Sequence, residues 1–139
     1  MLPFQIRLTP GESPYRQVVY AATKAVVAGL LPAGTPFPSV RELSQALRIN
    51  PNTAHKVVTE LVRNGLLEVL PGVGTVVARS GQASAADRAA LLSTQVEQLV
   101  VEALRLGVDE RTVREAIAAR WRELSGADRT DPSPPDADE

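Results

Sequence analysis

Asn52, Thr53, His55 and Lys56 crowd the start of one segment, and Thr59 and Arg63 follow on the same polar side. Short amides and hydroxyls can reach the edges of nucleobases, while lysine and arginine neutralise phosphates. By themselves these residues also describe an ordinary solvated helix face. The context separates the two readings: a second polar or cationic group, Arg41, lies one short helix upstream, and a glycine-tipped stretch, Gly72-Val73-Gly74, lies downstream. An arginine beside a helix start can meet a phosphate together with backbone N–H groups, or a guanine edge. The glycine tip carries no cation, so any contact there has to use backbone N–H groups or Thr75.

Other chemistries find little to work with. His55 is the single histidine and there is no cysteine, so no clustered metal-ligand set is expected. No Ser/His/Asp or Cys/His combination suggests a nucleophile, and Gly72-x-Gly74 is too short a pattern for a nucleotide. Glu97 and Glu102 read more simply as solvated faces than as a carboxylate pair. Neither an enzyme nor a cofactor is expected.

The elements that must position Asn52 and its neighbours are readable from caps and periodicity. Phe4, Ile6 and Leu8 alternate, which suggests a short strand or an extended arm. Ser13-Pro14 starts a helix whose apolar stripe runs through Tyr15, Val18, Val19, Ala22, Val26 and Leu30, with Gly29 near its end. Three prolines and a glycine interrupt residues 31–38, and Leu31 and Phe37 there are expected to plug a core. Ser39 with Glu42 forms a capping box for a short helix through Val40, Leu43, Ala46 and Leu47. Arg48-Ile49 makes a turn. Asn50-Pro51 then repeats the cap-and-proline start, and the next helix should run to about Asn64 with Gly65 as its stop. Asn50 itself is a candidate DNA contact. Leu66 to Leu70 and Thr75 to Ala78 read as two strands of a hairpin.

Beyond a small, polar stretch at 82–87, Leu92, Val96, Leu99, Ala103 and Leu106 recur at alternating four- and three-residue steps, a heptad-like seam. Gly107 should end that helix and Asp109 cap the next, whose stripe holds Val113, Ala116, Ile117, Trp121 and Leu124. Leu92, Val96, Leu99, Ala103, Ile117 and Trp121 are therefore expected to join two copies of the chain. From Gly126 the tail is acidic and proline-rich, and disorder is expected.

The fold class expected is mainly α with a small β-hairpin wing: a winged helix-turn-helix over 1–80, a two-helix dimerisation module over 84–125 and a disordered tail over 126–139. With hydrophobic residues at 44% but aromatics at only 4%, the core has to be aliphatic. The net charge of −1 conceals an asymmetry. Residues 1–80 hold eight Lys and Arg against four Asp and Glu, a net +4, and residues 81–139 hold seven against twelve, a net −5. A basic, polyanion-binding half beside an acidic, partner-facing half fits those signs. No apolar run approaches the roughly 18 residues of a membrane span and no signal-peptide pattern opens the chain, so a soluble cytoplasmic protein is expected.

Several stretches resemble the GntR family of bacterial transcription regulators, in its short YtrA-type branch. They are SPYRQVV, LLPAGTPFPSVRELSQAL, INPNTAHKVVTEL and NGLLEVLPGVGTVV, and Asn50-Pro51-Asn52-Thr53 stands where the branch has its asparagine-proline-asparagine-threonine signature. The opening PFQIRLTPGESPYRQ is also similar. The resemblance implies a homodimeric repressor of a roughly palindromic double-stranded DNA operator, often near genes for a membrane transporter. Arg41 and the early residues of the second helix would contact the DNA. Three positions depart from the pattern. Arg48 replaces a common turn glycine, implying about 1 kcal/mol of strain if it is left-handed. His55 stands where many relatives are basic. Leu70, Pro71 and Val73 replace the arginines usual in the wing.

Two other classes compete. A winged-helix module that binds protein without specific DNA binding would use the acidic C-terminal half, but the polar start at Asn52 lacks the exposed aromatics or leucines of a protein-docking face. A ligand-controlled receptor would have to hold its effector at the dimer seam, because roughly 40 residues are too few for a separate effector domain of usual size.

Overall fold

Serine or asparagine followed by proline opens a helix twice in this chain. The Ser13 Oγ accepts the Arg16 N–H and the Asn50 Oδ1 accepts the Asn52 N–H, at 3.3 and 2.8 Å. The proline that follows needs no partner for its nitrogen and already holds a helical φ. The computed structural model describes residues 2–79 and 84–126. The chain divides into two units, Met1–Ala83 and Ser84–Glu139.

The first unit comprises α1 (Pro14–Val27), α2 (Val40–Leu47), α3 (Pro51–Arg63) and an antiparallel hairpin of β1 (Leu67–Leu70) and β2 (Gly74–Val77). Leu67 pairs with Val77 and Leu70 with Gly74; β1 begins one residue later than expected and ends where expected, and β2 begins and ends one residue earlier. Phe4, Ile6 and Leu8 form no strand: they belong to an extended arm, and its buried Phe4 stacks on Phe37 with ring centroids 5.9 Å apart and planes 11° apart. The core is aliphatic around that pair. Val18 and Ala22 of α1, Leu43 of α2, and Ala54, Val57 and Leu61 of α3 are all fully buried with Val77 and Leu67 of the hairpin beside them.

Two local arrangements differ from expectation. At the start of α2 the Ser39 Oγ accepts the Glu42 N–H at 3.1 Å, but the Glu42 carboxylate takes the Ser39 hydroxyl proton instead of its backbone N–H. Half of the capping box is therefore made. The second is the proline-rich connector, which does more than plug the core. Pro36 bridges Val76, Phe37 donates its N–H to the Thr75 carbonyl at 2.9 Å, and Val77 donates to the Thr35 carbonyl at 2.9 Å. The connector thus lies along the free side of β2. Between α2 and α3, Arg48 takes the left-handed conformation with φ 54°, which costs an L-residue about 1–2 kcal/mol.

In the second unit α4 (Ala85–Ala90), a π-helical turn at Leu91–Gln95 and α5 (Val96–Leu106) follow in sequence, and Asp109 caps α6 (Glu110–Ser125) by accepting the Thr112 N–H at 2.8 Å. The expected uninterrupted helix from about 86 to 106 is broken in register by that π turn. Ser93 gives its hydroxyl to the Ala89 carbonyl at 2.6 Å, competing for the acceptor that an α-helical amide would use. The heptad steps from Leu92 to Val96 cross this turn. No described residue of the unit is buried; Ala103, Val113 and Leu124 are half-buried and the rest of the apolar stripe is exposed. Residues 82–87 read as a linker in the sequence, but Ser84 caps α4 by accepting the Asp87 N–H at 3.1 Å and residues 85–87 are helical; residues 82–83, and 127–139 of the tail expected to be disordered from 126, lie outside the described residues.

Leu61 ties α3 to the core from the side opposite its polar face. Leu61→Ala should lower unfolding stability by about 2–5 kcal/mol, read as a fall in the urea midpoint at constant m-value.

Candidate nucleic-acid interface

Burial of Ala54, Val57 and Leu61 decides which side of α3 remains outside. Positions three and four residues apart share a face, so Asn52, His55, Lys56, Thr59 and Arg63 form the exposed stripe, with Thr53 half-buried at its margin. Thr53, His55, Lys56 and Thr59 line one open cleft with Tyr15 from the start of α1 and with Glu60. Asn52 stands beyond the cleft, in the first turn.

Asn50 is exposed, and its Oδ1 is taken up by the cap, leaving the amide NH₂ as its outward group. Arg41 is exposed in the first turn of α2. Neither Arg41, Lys56 nor His55 has a salt bridge among the described residues, whereas Arg63 is held by Glu60 at 2.8 Å, with the arginine side chain 74% exposed. In the first unit that is the one ion pair among the described residues, so its positive excess is mostly uncompensated.

Gly72 and Gly74 lie exposed at the hairpin tip, and Thr75 is half-buried with its carbonyl engaged by Phe37. The tip is apolar: Val69 and Val73 are 62% and 71% exposed. The structure therefore brings Thr53, His55 and Lys56 together, sets Asn50, Asn52 and Arg41 on the neighbouring helix starts, and puts the three wing residues on a separate element.

Tyr15 and Glu60 are the members that sequence reasoning missed. Burial first, and then the charge and hydrogen bond of the Glu60 carboxylate, push the Tyr15 hydroxyl above its ordinary value of 10.0. Tyr15 had been legible as part of the α1 apolar stripe, but its hydroxyl partner lies on α3 and only the tertiary fold supplies it.

Of the six residues expected to join two copies, Val96, Leu99, Ala103 and Ile117 line one trough between α5 and α6 with Val100, Leu104, Val108 and Val113. Leu92, in the π turn, and Trp121, far along α6, lie outside it, each 73% exposed. Among the described residues no group of three or more His, Cys, Asp or Glu is placed to hold a metal ion. Nor, among the described residues, is any helix long and apolar enough to cross a membrane.

Comparison with known proteins gives the family and the fold. The sequence model of the gntR family of bacterial regulatory proteins matches residues 14–77, the span from the start of α1 to the end of β2. The chain is 29% identical over 118 residues to the HTH-type transcriptional repressor YtrA of Bacillus subtilis, covering 84% of this chain and 91% of the repressor. It is 32% identical over 88 residues to the HTH-type transcriptional regulator YhcF of the same organism, covering 63% of this chain and 72% of that one. Among solved structures, a transcriptional antiterminator from Listeria monocytogenes superposes with a TM-score of 0.75 at 26% identity, over 88% of this chain and 92% of that one.

The Tyr15–Glu60 contact predicts a titration. In a Tyr20→Phe background, ultraviolet absorbance should show Tyr15 ionising above 10.0, and Glu60→Gln should bring it down. Because the folded-state value is raised, the contact's contribution to stability is complete below 10.0 and is lost as pH rises through the folded value.

Proposed function

The chain belongs to the GntR family of bacterial regulatory proteins, DNA-binding regulators of transcription, and we propose that it is a homodimeric repressor that reads a roughly palindromic operator with the first turns of α3. The observation that carries this reading is the outward stripe of α3. Asn52, His55 and Lys56 are exposed, free of ion pairs among the described residues, and set in a unit of positive charge excess. In a helix-turn-helix the start of the second helix meets base edges. Asn52 and Thr53 are the donors and acceptors for bases, with His55 beside them; Lys56, Arg63 and Arg41 meet phosphates, and Asn50 donates through its amide. Arg63 exchanges Glu60 for a phosphate as it does so. At the wing, Gly72 and Gly74 offer backbone N–H groups and Thr75 its hydroxyl.

Repression, rather than activation, is supported by the name of the relative YtrA, a transcriptional repressor. The location of the operator near genes for a membrane transporter follows from family resemblance alone. Dimerisation is supported by the second unit: no described residue in it is buried, although Val96, Leu99 and Ile117 are 41–46% exposed along one apolar trough. Helices of this length gain most of their stability by packing an apolar face, and a second copy supplies one at Leu99, Ala103 and Ile117, flanked by Leu92 and Trp121. The acidic half then holds the copies together.

Selection of bound duplexes from a random pool should enrich two-fold-related half-sites. With about six phosphate contacts per dimer, the log–log salt slope should be about −5. No enrichment and a slope near zero would overturn the reading in favour of a protein-binding module. Asn52→Ala should weaken discrimination at one base position by about 1–3 kcal/mol, while Lys56→Ala lowers affinity for every sequence.

Leu99→Asp should give a monomer in sedimentation equilibrium and lose most operator affinity. A dimer that survives this change would put the subunit contact elsewhere.

A further inference from the structure

Among the described residues five helix ends pass through the left-handed region, and four of them do so with glycine. Gly29 follows α1 at φ 78°, Gly65 follows α3 at 78°, Gly107 follows α5 at 72° and Gly126 follows α6 at 77°. The fifth, after α2, is Arg48 at φ 54°, the one non-glycine with positive φ among the described residues. Glycine makes this conformation without steric penalty. An arginine there is a choice against stability, and the local structure prevents it from relaxing. The Ser44 carbonyl accepts the N–H groups of both Arg48 and Ile49, and the Ser44 hydroxyl donates to the Ile49 carbonyl at 2.8 Å. The α2–α3 turn is thus pinned on both sides of the strained residue.

The side chain held in this way is exposed and makes no ion pair or hydrogen bond among the described residues. Its position is also specific. Arg48 stands two residues before Asn50, the cap of α3, and so beside the turn that presents Asn52. Strained residues that the surrounding structure over-determines concentrate where the strain serves binding or catalysis.

We propose that Arg48 is a DNA-backbone clamp. Its guanidinium grips a phosphate flanking the bases read by α3, and the left-handed turn aims it there at the expense of fold stability. The proposal rests on the DNA-reading role of α3 put forward above. A guanidinium binds a phosphate through two parallel N–H donors, so one such contact per subunit fixes how deep and at what angle the first turn of α3 enters the groove. It supplies positioning, and no base preference of its own.

The test pairs stability with binding. Arg48→Gly should raise the thermal midpoint by about 4 °C, because the strain is removed. The clamp adds two phosphates per dimer to the six assigned above and deepens the slope of the unaltered protein to about −7; the same variant should return it to about −5 and bind every duplex about 10-fold more weakly at about 0.1 M salt. Arg48→Asn, neutral but tolerant of the left-handed region, should show the same loss of affinity and slope. Arg48→Lys should keep the slope. Lys24→Gln, on the exposed face of α1, serves as a neutralised cation elsewhere and should change neither. Wild-type affinity and slope in both Arg48→Gly and Arg48→Asn would overturn the clamp, as would an Arg48→Lys slope as shallow as that of Arg48→Gly. Failure of the wider DNA-binding reading is seen separately, as a wild-type protein that binds no duplex with a salt-dependent affinity.

Discussion

Ala54, Val57 and Leu61, packed to zero exposure against α1 and α2, are the constraint from which the rest of the first unit follows. A helix has one orientation about its own axis once three residues of one face are buried in a close-packed core, since interiors tolerate little rearrangement. With that rotation fixed, Asn52, His55, Lys56 and Arg63 have no freedom to be anywhere but outside. The caps matter for the same reason. Asn50 and Pro51 determine where α3 begins, and a shift of one residue would turn its first polar turn by about 100°. The outward presentation of this polar turn is a property of aliphatic packing as much as of polar chemistry.

The second unit answers a different constraint. Its helices carry Val96, Leu99, Val100 and Ile117 partly open to solvent, and their exposed outer faces hold ion pairs such as Arg111–Glu115 at 3.1 Å and Arg114–Glu110 at 3.6 Å. Exposed pairs of this kind contribute little, about 0.3–0.5 kcal/mol each. The dimer contact proposed above would supply the apolar burial that the described residues of this unit do not make among themselves.

Much of this was legible in the chain because the signals are local. Ser13-Pro14, Asn50-Pro51 and Asp109 announce helix starts through chemistry confined to a few residues, and the aliphatic periodicity of Ala54, Val57 and Leu61 gives the buried face directly. The features that escaped depend on distant partners or on competition between near-equal alternatives. Thr35 and Phe37 pair with β2 across a long separation, in a stretch whose prolines suggest only an irregular loop. Tyr15 meets Glu60 only after α1 and α3 have packed. The π turn at Leu91–Gln95 arises in a run with no glycine or proline to mark it, and Leu92 within it does not line the trough shared by Val96, Leu99 and Ala103. The family resemblance carried the position of the wing but not its apolar tip, which is peculiar to Leu70, Pro71 and Val73.

The connector beside β2 has a consequence for solubility. A two-stranded hairpin standing alone offers hydrogen-bonding edges on both sides, and such edges recruit other chains into aggregates. Here the β2 edge is occupied by residues 34–37. The edge left open is that of β1, a strand of four residues with the charged Glu68 on it. So short and charged a border is a poor template for a foreign strand, and this lets Val69 and Val73 remain bare to water without inviting fibril growth.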